Sequence, residues 1–196
     1  METGCVILLA LKMNGGFFMA RYLRAATGER FQYMAHNGND TTVRFVLRYP
    51  GLLDETCVRA AMKALVLSVD VLRSSIVEGM HAIRWKITEP IQEQDYFHCI
   101  KVSGDPFEEA CIRSTIAVRP EDPCQIRCDL VLGDTESALV LCVSHLVVDG
   151  SDGRYLLLKL AEACRLIRDN GSAEALQVKN GSRMPETIYE GIKGEA

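Results

Sequence analysis

"SHLVVDG", residues 144–150, sets a histidine, an aspartate and a glycine in a run that is otherwise apolar. It follows "SALVLCV", residues 137–143, which is nearly all apolar from Ala138 to Val143, as in a central strand covered on both faces. From about Asp152, "DGRYLLLKLAEACRLIRDNG" places Leu156, Leu160, Cys164 and Ile167 on one helical stripe and stops at Asn170-Gly171. His145 therefore falls at a strand-to-helix junction, where folds expose reactive groups. An imidazole exchanges a proton near neutral pH without large tuning, which makes His145 a candidate general base for an alcohol, amine or thiol attacking an acyl group. Asp149, four residues on, points away from the reactive edge of the histidine in a turn and suits a structural role. Gly150 lets the backbone turn sharply or approach a ligand closely.

Working outward, "TTVRFVLRYPG" (41–51) alternates, with Val43, Phe45, Leu47 and Tyr49 on one side and Arg44 and Arg48 on the other, until Pro50-Gly51 ends it. Asp54 then caps a helix to about Val69, with Val58, Met62, Leu65 and Val69 on its apolar stripe and Glu55 paired with Arg59. "SSIVEGMHAIRWKITEP" reads as a hairpin about Glu78-Gly79, and "YFHCIKVSGD" as a further strand. Asp105-Pro106 opens a short helix to about Thr115. "CQIRCDLVLG" is a strand joined to 137–144 by the turn 133–136. The expected fold is α/β (α+β): a two-layer sandwich of one mixed sheet with helices packed on it.

The 196 residues are 48% hydrophobic and 24% charged, enough for one core. A net charge of −4 with scattered Lys and Arg offers no field for a phosphate backbone, so nucleic acid is excluded as a partner. The apolar run Cys5–Leu11 is too short to span a bilayer, and no membrane partner or export is expected. The eight cysteines sit mostly in apolar stretches, which indicates reduced thiols and a cytoplasmic location. Cys124 and Cys128 share a strand face without a second ligand pair, so packing is expected and no metal is assigned. His36, His81 and His98 lie outside any constellation. Trp85 reads as a sheet residue and "RPEDP" (119–123) as a solvated turn. There is no phosphate loop, Walker motif or G-x-S-x-G elbow.

H-x-x-x-D-G arises by chance on the order of once per hundred chains of this length, so a second stretch matters. "SHLVVDG" resembles the H-H-x-x-x-D-G motif of the chloramphenicol acetyltransferase-like superfamily, which includes condensation domains of nonribosomal peptide synthetases and alcohol acyltransferases. The match starts at the second, catalytic histidine. "SVDVLRSSI" (68–76) resembles the R-H-E-x-L-R-T-x-F stretch of condensation domains at Asp70, Leu72, Arg73, Ser74 and Ile76. Both stretches stand in the family's order, and the resemblance spans about residues 21–170. It implies that His145 is the base, that Asp149 forms a structural ion pair with Arg73, and that Gly150 flanks the channel for the acyl carrier. It also implies an acyl donor on phosphopantetheine, as coenzyme A or a carrier protein, and a small-molecule acceptor, with no bound cofactor.

Ser144 replaces the first histidine of the motif, and Ser68-Val69 replace the first Arg-His pair. Family members with two lobes bind substrates between them, and this chain supplies one. Two assemblies follow: an N-terminal lobe that needs a C-terminal lobe, or a homotrimer with sites between subunits. A non-catalytic lobe that binds a carrier protein or partner subunit is the alternative function. The expected organisation is an N-terminal extension (1–20), the lobe (21–172) and a linker-like tail (173–196).

Overall fold

The apolar run Ser137–Ser144 is a strand buried along its whole length. In the computed structural model, residues 7–13, 16–36, 39–79 and 82–178 are described. The elements are β1 (Ile7–Met13), β2 (Gly16–Arg24), α1 (Thr27–His36), β3 (Thr42–Tyr49), α2 (Glu55–Ser68), β4 (Ser74–Glu78), β5 (Ile83–Ile87), β6 (Phe97–Lys101), α3 (Pro106–Ser114), β7 (Ile126–Leu132), β8 (Ser137–Ser144) and α4 (Gly150–Asn170). A 3-10 turn, Asp70–Arg73, joins α2 to β4.

β8 lies inside a sheet of order β3-β8-β7-β6, with β6 and β7 parallel and the other pairs antiparallel. The register aligns Phe45, Leu141, Cys128 and Phe97 in one row across all four strands. That row belongs to the face covered by Val58, Met62 and Leu65 of α2 and Leu156, Leu160 and Ala163 of α4. The other face carries Val131, Ala138, Val140 and Cys142 against Ala110 of α3. Alternate side chains of β7 and β8 thus enter two different cores, which is why both strands are buried on both faces and the charged Arg127 and Asp129 of β7 lie buried on the α3 side. Each fully buried Leu or Val contributes about 1.5–3 kcal/mol.

Local signals act where the sequence places them. Asp54 accepts from the backbone N–H groups of Thr56 and Cys57 at 2.9 and 3.4 Å and starts α2. Asp105 accepts from Phe107 N–H at 2.8 Å ahead of Pro106. Gly171, at φ +75°, ends α4 in the left-handed region that suits glycine.

The mixed sheet with helices packed on it is present, and α3 adds a layer on its second face. There are two sheets rather than one, however. The β4–β5 hairpin joins β2 and β1 in the order β1-β2-β5-β4, all antiparallel. Its apolar face, with Ile76 and Trp85, closes on Ala25, Val71 and Leu146 instead of on α2 and α4. Strand periodicity records which face is apolar but not which sheet the strand completes.

Both expected boundaries shift. β2 runs through residue 20 without a break, and β1 pairs with it from Ile7–Tyr22 to Met13–Gly16. The glycine-rich break near residue 16 separates two paired strands and is not the edge of the fold. This hairpin meets β5 through three residue pairs, Tyr22–Lys86, Leu23–Trp85 and Arg24–Arg84. At the other end, Ala173, Leu176 and Val178 pack against the main core, so the first part of the tail belongs to the lobe. Three apolar residues are too few to leave a periodic trace. The rest of the tail, residues 179–196, lies outside the described residues, as does His81.

Candidate functional site

β8 ends at Ser144, and the next five residues are held at both edges. Ser144 N–H donates to the Gln125 carbonyl at 2.9 Å, and His145 N–H donates to the Thr41 carbonyl at 2.9 Å. Val147 N–H returns to the Ser144 carbonyl at 3.1 Å and closes a turn. The buried Ser144 hydroxyl accepts from Leu146 N–H at 3.3 Å. The apolar residues then separate: Leu146 enters the small cluster around Trp85, and Val148 enters the main core. With both neighbours committed to different clusters, His145 and Asp149 are left exposed. His145 is thereby presented to solvent on a fixed backbone, and its side chain makes no hydrogen bond to the described residues.

Asp149 is the N-cap of α4. Its Oδ1 accepts from Ser151 N–H, Asp152 N–H and the Ser151 hydroxyl, each at 2.8 Å, and the Asp152 carboxylate returns to Asp149 N–H at 3.5 Å. The bonds from the Asp152 backbone and the Ser151 hydroxyl hold the Asp149 carboxyl below the usual carboxylate range, outweighing burial. Gly150 is the first helical residue. Three residues later, Gly153 lets α4 cross β3 closely: a Cβ there would sit 3.0 Å from Cε2 of Phe45.

Arg73 is not paired with Asp149. Its guanidinium, 12% exposed, binds Asp70 Oδ1 at 2.5 Å and Glu89 Oε1 at 2.6 Å. Arg21 of β2 binds the same two residues, Asp70 Oδ2 at 3.0 Å and Glu89 Oε1 at 3.1 Å, which closes a ring of four charges. The expected pairing assumed a buried carboxylate that needs a guanidinium. Asp149 is instead exposed and satisfied by its helix, while Arg73 has two carboxylates nearer to it in sequence.

An open groove between α1 and the end of the β4–β5 hairpin, lined by Phe31, Met34, Glu78 and Ile83, contains no residue of the His145 motif. No helix among the described residues is long and apolar enough to cross a membrane.

No protein-family model and no curated protein matches the sequence. Solved structures do. The first condensation domain of the calcium-dependent antibiotic synthetase is similar over 87% of this chain, with a TM-score of 0.65 and 20% identity. The epimerization domain from the third module of tyrocidine synthetase B is similar over 87%, with a TM-score of 0.66 and 17% identity. The chain has the fold of one condensation-domain lobe. The tallysomycin biosynthesis protein TlmII shares that fold over 74% of the chain, with a TM-score of 0.62 and 18% identity. The lobe spans 45%, 40% and 37% of these three structures, less than half of each.

Two groups of the condensation-type lobe escaped the sequence reading. Gln125 is fully buried beside Ser144, and its amide N–H₂ donates to the carbonyls of Arg119, Pro120 and Asp122, each at 3.2 Å. Its backbone N–H reaches Leu72 O at 2.7 Å, and Pro120 O receives Ile76 N–H at 2.7 Å. The turn 119–123, expected to be merely solvated, thus stitches the two sheets together behind His145. A polar residue between the apolar ends of "CQIRC" is the trace this leaves. On the α3 face, fully buried Asp129 meets His98 Nδ1 at 2.9 Å, Arg113 Nε at 3.2 Å and Arg127 Nε at 3.3 Å. Arg127 and Asp129, two apart within an apolar strand, were the available signal.

Proposed function

We propose that the chain is an acyltransferase-type lobe in which His145 serves as general base toward a thioester carried on phosphopantetheine, as coenzyme A or on a carrier protein. The observation that carries this reading is an exposed histidine at the end of the buried central strand of a condensation-domain lobe. An amine or hydroxyl acceptor attacks the thioester carbonyl and passes its proton to the imidazole. A C–N or C–O bond forms, the C–S bond breaks, and the proton leaves with the thiolate. Asp149 supports this by starting α4 and fixing the turn that carries His145. Gly150 flanks the path of the acyl carrier.

The opposite wall of the channel and the donors for the tetrahedral oxyanion come from a second lobe. That lobe is supplied by a further stretch of polypeptide or by neighbouring copies in a trimer, and the coverage of under half of each similar structure supports this requirement. The free thiols fit a reducing compartment, and we place the protein in the cytoplasm.

The test is thiol release from acyl-coenzyme A and acyl-pantetheine with amine and alcohol acceptors, comparing the parent with His145→Ala. The expected loss is roughly 10²–10⁴-fold. Equal rates for the two proteins would refute the assignment of the base.

A further inference from the structure

Among the described residues the cysteines are free thiols, and two of them meet across the pair of helices that covers the main core. Cys57 lies in the first turn of α2, and Cys164 lies on the stripe of α4 that packs against it. The Cys57 thiol donates to the Cys164 carbonyl oxygen at 3.4 Å. Both residues are half-buried, open to a small reagent, whereas Cys124, Cys128 and Cys142 are enclosed in the cores.

We propose that Cys57 and Cys164 are a reversible redox pair that a low-molecular-weight disulfide closes, linking α2 to α4. The Cys57 thiolate attacks one sulfur of glutathione disulfide, forms a mixed disulfide and releases one glutathione thiolate. The Cys164 thiolate then attacks Cys57 Sγ, forms the protein disulfide and releases the second. Two protein thiols are oxidised, one disulfide is reduced to two thiols, and these take up the two protons.

The order of the steps follows from the surroundings. Burial first, and then the neighbouring Cys57, push the Cys164 thiol up to about 12, so Cys164 is the slower nucleophile and takes the resolving role after Cys57. Once Cys57 is in the mixed disulfide it can neither ionise nor donate an S–H, and its effect on Cys164 disappears. The closed bridge would join residues 107 positions apart, a loop long enough to restrict the unfolded chain substantially.

The experiment uses the full chain with the exposed Cys111 replaced by serine, treated with glutathione disulfide and read by peptide mapping and thermal unfolding. A Cys57–Cys164 linked peptide is expected, with a Tm raised by roughly 5–15 °C and returned by dithiothreitol. Closure should accelerate several-fold per pH unit from 7 to 9, following the Cys164 thiolate. Cys164→Ser should stop the reaction at glutathionylated Cys57. Persistent glutathione on Cys57 in the Cys111→Ser protein without the linked peptide overturns the proposal, as does equal capture of Cys57 by another cysteine, or no reaction at either thiol.

Discussion

Replacing Asp149 and Arg73 singly and together distinguishes a helix cap from a buried ion pair by a wide margin. Asp149 makes its hydrogen bonds to the start of α4, so Asp149→Ala removes a cap worth about 1 kcal/mol and a favourable charge at a helix N-terminus worth about 0.3–1 kcal/mol. In a chain of this size that lowers Tm by about 3–6 °C. Asp149→Asn keeps the cap and should lose less than half as much. Arg73→Ala leaves Asp70 and Glu89 partly exposed and still held by Arg21, for a loss of about 1–2 kcal/mol. Since the two residues share no partner, their effects should add within about 0.5 kcal/mol. A buried Arg73–Asp149 pair would instead cost about 3–5 kcal/mol for either single change, and the double variant would lose little more. Urea unfolding of the four proteins at neutral pH measures the coupling, and a value above about 1.5 kcal/mol refutes the cap reading. The pH dependence has a definite sign. The folded carboxyl of Asp149 is lowered, so its contribution is complete well above the unfolded value of about 4 and is lost as the pH falls through the folded value. The gap between parent and Asp149→Ala should stay level from about pH 8 to 5 and then narrow. A gap that widens in acid contradicts the assignment.

Gly153→Ala brings a Cβ to 3.0 and 3.1 Å from Cε2 and Cζ of Phe45; overpacking of about 1–3 kcal/mol exceeds the helix-propensity gain of about 1 kcal/mol, and Phe45→Leu should restore the loss. An unchanged or raised Tm for Gly153→Ala alone counts against the close approach. Gln125→Leu leaves three carbonyls without their donor and should cost about 2–3 kcal/mol, with faster hydrogen exchange at Ile76 and Ser144; unaltered protection there would remove its role as a junction. Asp129→Asn leaves Arg113 and Arg127 without their shared carboxylate and should cost about 3–5 kcal/mol near neutral pH. Burial raises the Asp129 carboxyl, but the bond from His98 and the charges of Arg127 and Arg113 lower it overall. Its contribution is therefore lost as the pH falls below about 4, and Asp129→Asn should show a flatter acid limb; an unchanged limb contradicts the pairing.

Legibility in the sequence followed the range of the interactions. The α2 helix was readable because its cap, the steps of its apolar stripe and its Glu55–Arg59 pair each join residues no more than four apart. β3 was readable from its alternation and β8 from its unbroken apolar run. The hairpin β4–β5 was found, but its sheet was not, because Trp85 and Ile76 look the same whichever cluster they enter. His98 stood outside any constellation because its partner, Asp129, is 31 positions away. β2 and α1 went unseen: the apolar segment before them obscured where the fold begins.

The sequence by itself determined the element types, the α/β class and the candidate base, because capping, alternation and strand ends are set by neighbours along the chain. It also marked Asp149 as structural. Only the tertiary structure decided what Asp149 and Arg73 hold, since a carboxylate takes the donors nearest in space, and here those are the first turn of its own helix. It likewise decided why His145 faces outward. Leu146 and Val148 are drawn into two separate apolar clusters, and the turn that serves both leaves His145 and Asp149, the polar residues flanking them, on the surface.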